Sequence, residues 1–278
     1  MKQTLALADE AYAAERMKME ALVGENDLVA LEHTVLPCYD KTPEVRVPLV
    51  GGSQLVDATF VARPNQFVIV AELASGQQVQ AHCADRGRLR WLVPGTPLLL
   101  GAKPAAGRKT AFQAAAAWTN AAWASLDTHL PNRLIAQALH ARALAQFEDY
   151  TVIKREAQVG NSRFDFRLAH EAQCCYLEVK SVGTAANGIA RFPDAPTLRG
   201  RRHLAELAEL ASRGTRTALL FVAQHAAATG VLPDRTIDPA FADALRDAVA
   251  AGVEVYAYRC PVSRGRIGLG PPIPCVYQ

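Results

Sequence analysis

The hydrophobic period of this chain changes at Leu130-Pro131-Asn132, and that change limits its fold more than any other feature. From residue 53 the apolar residues come in short β-like runs: QLVDATFVA, then QFVIVAEL after the Arg63-Pro64-Asn65 turn, then QVQAHC after Ser75-Gly76. Such runs between turn residues predict consecutive antiparallel strands. Further runs at about 96–101 and 109–125 bring the count to about five, enough for a small closed barrel. The segment TAFQAAAAWTNAAWASL pulls both ways, because its four consecutive alanines favour helix while Trp118 and Trp123 suit strands. Strand is the reading adopted.

After Pro131, residues Leu134, Ile135, Ala138, Leu139, Arg142 and Ala143 recur at helical spacing to about Phe147, with the proline at the helix entry. YTVIKREAQV, SRFDFRLA and CCYLEVKSV follow as three β-like segments, separated by turns at Gly160-Asn161 and around His170 to Gln173. A loop of roughly fifteen residues comes next, a length that often carries function. Asp194-Ala195-Pro196-Thr197 then opens a helix over LRGRRHLAELAELAS, and Gly214 closes it. RTALLFVA reads as a buried strand, IDPAFADALRDAVAAG as a second helix and VEVYAYRC as a further strand. The expected division is an extension or linker over 1–45, a β-barrel unit over 46–128 and a unit over 129–278 with a mixed sheet flanked by helices. In the first of these, Pro37, Pro43 and Pro48 argue against continuous helix.

Two units agree with 278 residues, since single cores rarely grow past about 100 to 200. Half the residues are hydrophobic and 21% charged, the balance of a chain that buries a substantial core. The net charge of +3 is unevenly placed: residues 1–45 carry four basic and nine acidic side chains, leaving the remainder at +8. A basic body of that size suits a polyanionic partner and equally a solvated basic surface. None of the six cysteines falls in a zinc spacing, which disfavours zinc and points to a reduced, cytoplasmic setting. The N-terminal sequence lacks the pattern of a signal peptide, and no stretch approaches the ~20 apolar residues of a membrane span.

Chemistry is concentrated in the β-like segments after residue 150. Alternate strand residues share a face, so Glu178 and Lys180 of LEVK project together, opposite to Leu177 and Val179. Asp165 stands between Phe164 and Phe166 on the preceding segment, and an antiparallel register can bring its carboxylate to Glu178. A carboxylate pair with a lysine beside it suits phosphodiester hydrolysis. Mg²⁺ or Mn²⁺ prefers oxygen ligands such as Asp165 and Glu178, with the Val179 carbonyl a further candidate. Lys180 would orient or help deprotonate the attacking water and offset charge developing on the phosphate. In an arbitrary sheet an E-x-K pair is an ordinary cross-strand charge pair. Placement on the second and third strands of a helix, three-strand, helix, strand order favours the catalytic reading.

VDATFVARPNQFVIVAEL, AHCADRGRL, LPNRLIAQAL, GNSRFDFRL, YLEVKSV, FPDAPTLRGRRHLAEL and LFVAQ together resemble the SfsA family, the sugar fermentation stimulation protein A group, over about residues 49–270. The resemblance implies an α+β protein with an N-terminal OB-fold barrel, a C-terminal PD-(D/E)XK nuclease-like domain, and DNA binding. In that pattern Asp165 matches the motif Asp, Glu178 the (D/E) and Lys180 the K. Two departures stand out: the family usually has Asn-Thr in place of Asp85-Arg86, and Asn in place of Asp127. An aspartate at 127 is unfavourable near a phosphate path unless Arg86 or Arg133 offsets it.

Candidate DNA contacts follow. Arg63 and Arg88, with Arg86, Arg90 and Trp91, combine charge and aromatic surface as single-strand-binding OB folds do. Arg163 shares the face of Asp165 and would either touch phosphate or neutralise carboxylates. Arg199, Arg202 and His203, at i, i+3 and i+4, read as one side of a helix near its anion-favouring N-terminus. In this reading His203 is a surface or stacking residue, and Glu156 is a solvated edge glutamate or an extra acid. The expected function is a metal-dependent, DNA-binding nuclease. A non-catalytic DNA-binding regulator of sugar-metabolism genes that keeps the nuclease fold, as the resemblance suggests, is the main alternative, and an oligosaccharide-binding OB module a weaker one.

Overall fold

The structure, a computed structural model, describes residues 44–103 and 110–277. The extension expected over 1–45 lies outside these residues except for Glu44 and Val45. The first half comprises β1 (Arg46–Pro48), β2 (Leu55–Asn65), β3 (Val68–Leu73), β4 (Gln78–His82), β5 (Pro97–Ala102), β6 (Phe112–Thr119) and β7 (Ala122–Ser125). Strands β2 to β6 close on themselves. The β2–β3, β3–β4, β2–β5 and β5–β6 pairs are antiparallel, and a short parallel β4–β6 pairing completes the ring. This is the expected five-stranded OB barrel.

Strand β6 explains the alanine run. Ala114 and Ala117 pack in the barrel core with Phe60, Ile69, Leu98 and Leu100, whereas Ala115 and Ala116 join Leu99 in a cluster shared with the second half. A register shift between Leu99 and Leu100 sets this arrangement. Both faces of β6 are buried, so alternation vanishes from the sequence and small side chains admit the neighbours on each side. Tertiary packing overrides alanine's helix propensity.

The second half begins with α1 (Leu130–His140), which ends short of the expected Phe147. Arg142 takes a positive φ of 53° just beyond it, and only a 3₁₀ turn spans Ala145–Phe147. Next come β8 (Val152–Val159), β9 (Ser162–His170), β10 (Gln173–Val182), β11 (Ala185–Ala186) and β12 (Ile189–Phe192). They are followed by α2 (Leu198–Ser212), β13 (Arg216–Ala223), β14 (Gly230–Pro233), α3 (Pro239–Ala250) and β15 (Glu254–Arg259). Five of these form a mixed sheet in the order β15-β13-β10-β9-β8, parallel at β10–β13 and β13–β15 and antiparallel elsewhere. The expected loop after β10 is partly ordered: β11 and β12 pair with each other, and β14, which the sequence pattern did not signal, adds to β12. Thr197 caps α2 by accepting from the Gly200 N–H, and Asp238 caps α3 by accepting from Phe241 while also taking the Thr197 N–H. One aspartate thus ties both helix starts together.

The end of the chain departs from the expected division. β16 (Val262–Ser263) pairs with β7 and β17 (Arg266–Gly268) pairs with β1, so this hairpin joins the sheet of the first half. Residues 129–278 are therefore not one separate sheet unit. A common core reinforces the tie: Val47, Leu49, Leu99 and Ala116 pack in one cluster with Leu134, Leu177, Leu220 and Tyr258. The opposite face of the mixed sheet packs Leu219, Phe221 and Val255 against Leu204, Leu207, Phe241 and Leu245 of α2 and α3. The sheet lies between two apolar layers, one including α1 and the barrel wall, the other α2 and α3.

The loop after β4 presses on the segment before α2. Arg63 holds this loop by donating to the carbonyls of Gly87 (2.6 Å) and Asp85 (2.7 Å), and it also donates to Gln66 (3.0 Å). A Cβ at Gly87 would fall 1.6 Å from Oδ2 of Asp194, so only glycine permits this approach. Asp85 is buried and accepts from the Gly87 N–H at 2.8 Å. Burial, and then the nearby Asp194 charge, push its carboxyl up to about 6, against partial relief from Gly87 and Arg63. Asp127, 4% exposed, accepts from Arg133 at 2.8 Å and from the His129 N–H at 3.0 Å. Arg133 is thus the offset that this unusual aspartate requires.

Two stability outcomes follow. Between its ordinary 3.8 and about 6 the folded state holds the Asp85 proton more tightly than the unfolded chain. Stability therefore falls as pH rises through that window and stays lower above it. Asp85→Asn keeps the acceptor for Gly87 and removes the charge, so at pH ~7 it should stabilise by up to about 3 kcal/mol. Denaturant unfolding followed across pH should show the gain fading below pH ~4; a pH-independent difference would contradict this account. Conversely, Arg133→Met leaves a buried carboxylate short of a partner and should cost roughly 1–3 kcal/mol. Adding Asp127→Asn to that variant should recover most of the loss in the same assay.

Candidate metal site and its cleft

The antiparallel ladder between β9 and β10 runs from Gln173↔His170 to Leu177↔Phe166 and then stops. The next step would place Asp165 opposite Glu178. Instead the Asp165 side chain takes over the ladder: its Oδ2 accepts the Val179 N–H at 2.8 Å, in place of a backbone carbonyl. Its Oδ1 accepts from Nδ2 of Asn132, at the start of α1, at 2.5 Å. On the other side of β9 the pairs Arg155↔Phe166 and Ala157↔Phe164 bracket Glu156, whose φ is 53°. The break also reverses the faces of β9, because Phe166 packs on the α1 side of the sheet and Phe164 on the α2 side. Positive φ on a non-glycine residue is a strained state that persists where the surroundings impose it.

Glu178 and Lys180 extend toward α2, as the i, i+2 spacing predicts, and both are buried, at 4% and 9% exposure. Lys180 Nζ donates to Oε1 of Glu178 at 2.7 Å. The same oxygen lies 2.6 Å from Nδ1 of His203, which is 1% exposed and packs edge-on against the Phe164 ring at 5.7 Å. His203 is therefore a buried partner of the acid and not a surface group, which corrects the reading from helical spacing. Nε of Arg199 donates to Nε2 of His203 at 3.3 Å, completing a chain from Arg199 through His203 to Glu178.

Charge in this cluster is finely divided. Burial, and then the Glu178 charge, push Asp165 up to about 6, while Val179, Lys180 and Asn132 pull the other way. Burial also acts upward on Glu178, but the Lys180 ammonium and the His203 hydrogen bond together outweigh it and hold the carboxyl below its usual range. Oε2 of Glu178 is buried without a hydrogen-bond partner, a costly state for a carboxylate oxygen. That orphaned atom, with the Asp165 carboxylate alongside, fits a hard divalent cation. Among the described residues no group of three or more His, Cys, Asp or Glu side chains forms a metal cage. Two carboxylates would leave most positions around the ion to water, backbone carbonyl and phosphate, which is how Mg²⁺ is commonly held.

A cleft of about 570 Å³ meets this cluster through Arg199, which lines it, while Asp165, Glu178, Lys180 and His203 do not. One wall is the barrel loop with Asp85, Arg86 and Trp91, and the other includes Ser181, Arg191, Asp194 and Arg199. Arg86 lies over the Phe67 ring at 5.1 Å. The expected DNA contacts divide into two groups. Arg63 spends its guanidinium on loop carbonyls, so it shapes the wall and does not present a free charge. Arg88, Arg199 and Arg202 are exposed, as is Arg163, which pairs with exposed Glu156 at 3.4 Å. That pairing places Glu156 at the solvated edge. Asn132 is the site residue that the pattern missed, and His203 one whose role it misread; the GNSRFDFRL and LEVK segments carry no sign of partners supplied by helices far away in sequence.

Comparison with known proteins agrees with this architecture. Residues 61–126 match the family model described as the SfsA N-terminal OB domain, and residues 129–266 the one described as the sugar fermentation stimulation protein RE domain. A sugar fermentation stimulation protein homolog from Chloroflexus aurantiacus is 51% identical over 231 residues, covering 83% of this chain and 89% of that protein. A homolog from Moorella thermoacetica is 44% identical over 224 residues, covering 80% and 96%. The structure of Pyrococcus furiosus SfsA in complex with Ca²⁺ aligns with a TM-score of 0.75 at 28% identity, covering 82% of this chain and 99% of that one. With the OB barrel, the mixed sheet and this degree of identity along most of its length, the chain belongs to the SfsA family.

Proposed function

We propose that this protein binds DNA and cleaves phosphodiester bonds with Mg²⁺ or Mn²⁺ held by Asp165 and Glu178. The observation that carries the reading is the buried, unpartnered Oε2 of Glu178 beside a second carboxylate and a lysine. That the Pyrococcus furiosus relative was solved with Ca²⁺, another oxygen-seeking cation, supports it. When bound, the cation supplies Lewis-acid polarisation of a phosphoryl oxygen and acidifies water. Asp165, fixed by Asn132 and the Val179 N–H, provides one oxygen ligand, and Oε2 of Glu178 the other. Lys180, anchored on Oε1, points its ammonium at the same region, where it orients the attacking water and offsets charge on the phosphate. Arg199 and Arg202 at the start of α2 and Arg88 on the barrel side grip backbone phosphates, and Arg163 joins them by leaving Glu156.

Calorimetric titration with Mn²⁺, beside a cleavage assay on labelled single-stranded, duplex and branched DNA and RNA, tests the reading. Asp165→Ala and Glu178→Gln should lose metal uptake and cleavage together. Lys180→Ala should keep metal uptake and lose about 10²-fold or more in turnover, because its role is on water and phosphate. If wild type takes up no divalent metal and cuts nothing, a DNA-binding regulator that keeps the nuclease fold replaces the catalytic reading.

Binding itself should be dominated by phosphate contacts, so affinity should fall steeply with salt. Replacing Arg199 and Arg202 together by alanine should flatten the slope of log K against log salt by about two, roughly one per lost contact. An unchanged slope, measured by fluorescence anisotropy in chelator, would take α2 out of the interface.

A further inference from the structure

His203 is 1% exposed, and both of its ring nitrogens are engaged. Arginine Nε is only a donor, so the Arg199 contact makes Nε2 of His203 an acceptor and leaves Nδ1 as the protonated nitrogen. Nδ1–H then donates to Oε1 of Glu178 at 2.6 Å, the same oxygen that Lys180 occupies at 2.7 Å. Phe164 braces the ring from its edge. A ring held in this way cannot take a proton from water, which removes it from consideration as a general base. It can set which oxygen of Glu178 remains available.

We propose that His203 is a positioning residue for the cation: with Lys180 it commits Oε1 of Glu178 and presents the buried Oε2 as the single oxygen facing the metal. Arg199, which lines the cleft, fixes the tautomer that makes this possible and so links the cleft wall to the ligand. The assignment rests on the reading that Asp165 and Glu178 hold a divalent cation. Without the histidine, Oε1 keeps only the lysine, Glu178 gains freedom to rotate, and Lys180 has one fewer neighbour restraining its partner. Partners of this kind, acting through a ligand, typically contribute 10–100-fold to metal affinity or activity.

The test compares donors at constant fold. His203→Phe keeps a flat ring against Phe164 without a donor, while the side-chain amide N–H of His203→Asn reaches the place of Nδ1–H. Calorimetry with Mn²⁺ in the absence of nucleic acid should show about 10–100-fold weaker uptake for the Phe variant and near wild-type uptake for the Asn variant. Cleavage by the Phe variant should be restored by excess Mn²⁺, with kcat recovering and KM for DNA unchanged. Thermal midpoints in chelator guard against misfolding, and if His203→Phe does not fold, His203→Ala against His203→Asn carries the same contrast. Equal Mn²⁺ affinity in wild type and the Phe variant, or an Asn variant no better than Phe, overturns the assignment. If wild type itself takes up no Mn²⁺, the metal reading fails and this inference with it; if all proteins bind equally, the metal reading stands and only the role of His203 is withdrawn.

Discussion

The site depends on one backbone hydrogen bond that the sheet gives up. A central strand must satisfy every N–H it carries, and past Leu177 the neighbouring strand β9 no longer offers Val179 a carbonyl. Oδ2 of Asp165 fills the gap. The sheet stays satisfied only with an aspartate or a close mimic at that position, and the aspartate stays fixed because its oxygen completes the ladder. The same break turns Phe164 and Phe166 to opposite layers and sets Glu156 at positive φ. Strain, strand peeling and carboxylate placement are one local event, distributed over three strands.

Around that break the fold accepts a cost. Glu178, Lys180 and His203 are buried in a layer otherwise lined by Leu204, Leu207, Phe221 and Phe241. A paired and hydrogen-bonded charge cluster in such surroundings does little better than an apolar replacement of the same volume, and an unpartnered oxygen does worse. Apolar packing on both faces of the sheet offsets this. The mixed sheet has a complete core on the α1 side, continuous with the barrel wall, so the polar cluster is confined to the other side, near the C-terminal end of β10. The candidate site occupies the edge of one layer while the second layer supplies the stability.

The sequence carried the parts of this arrangement that are local. The i, i+2 spacing of Glu178 and Lys180 follows from strand geometry, and both do emerge on one face. The helix starts at Pro131 and Thr197 are encoded by residues adjacent to them. What could not be read is whatever depends on register or return of the chain. His203 sits at i+4 from exposed Arg199, so helical spacing alone groups the two as one basic face; only the packing of α2 on β10 turns the histidine inward. Arg63 looks like a surface charge until the loop at 85–87 closes over it. Strand β14 and the hairpin β16–β17 are short, and their pairing partners lie tens to hundreds of residues away, beyond the reach of periodicity.

That returning hairpin has a consequence for the cleft. A barrel joined to a nuclease-like unit by one linker is free to swing, since interfaces between domains are usually small and polar. Here β16 and β17 knit the end of the chain into the barrel sheet, and Leu99 and Ala116 of the barrel share a core with α1. The loop carrying Asp85 and Gly87 is held by Arg63 so close to Asp194 that no Cβ fits at position 87, which joins the two walls of the cleft at that point. Of the charged residues lining it, Asp85 is buried, whereas Asp194, Arg86, Arg191 and Arg199 are exposed. Arg199, exposed on one wall, is the residue through which this cleft reaches His203 and, through it, Glu178.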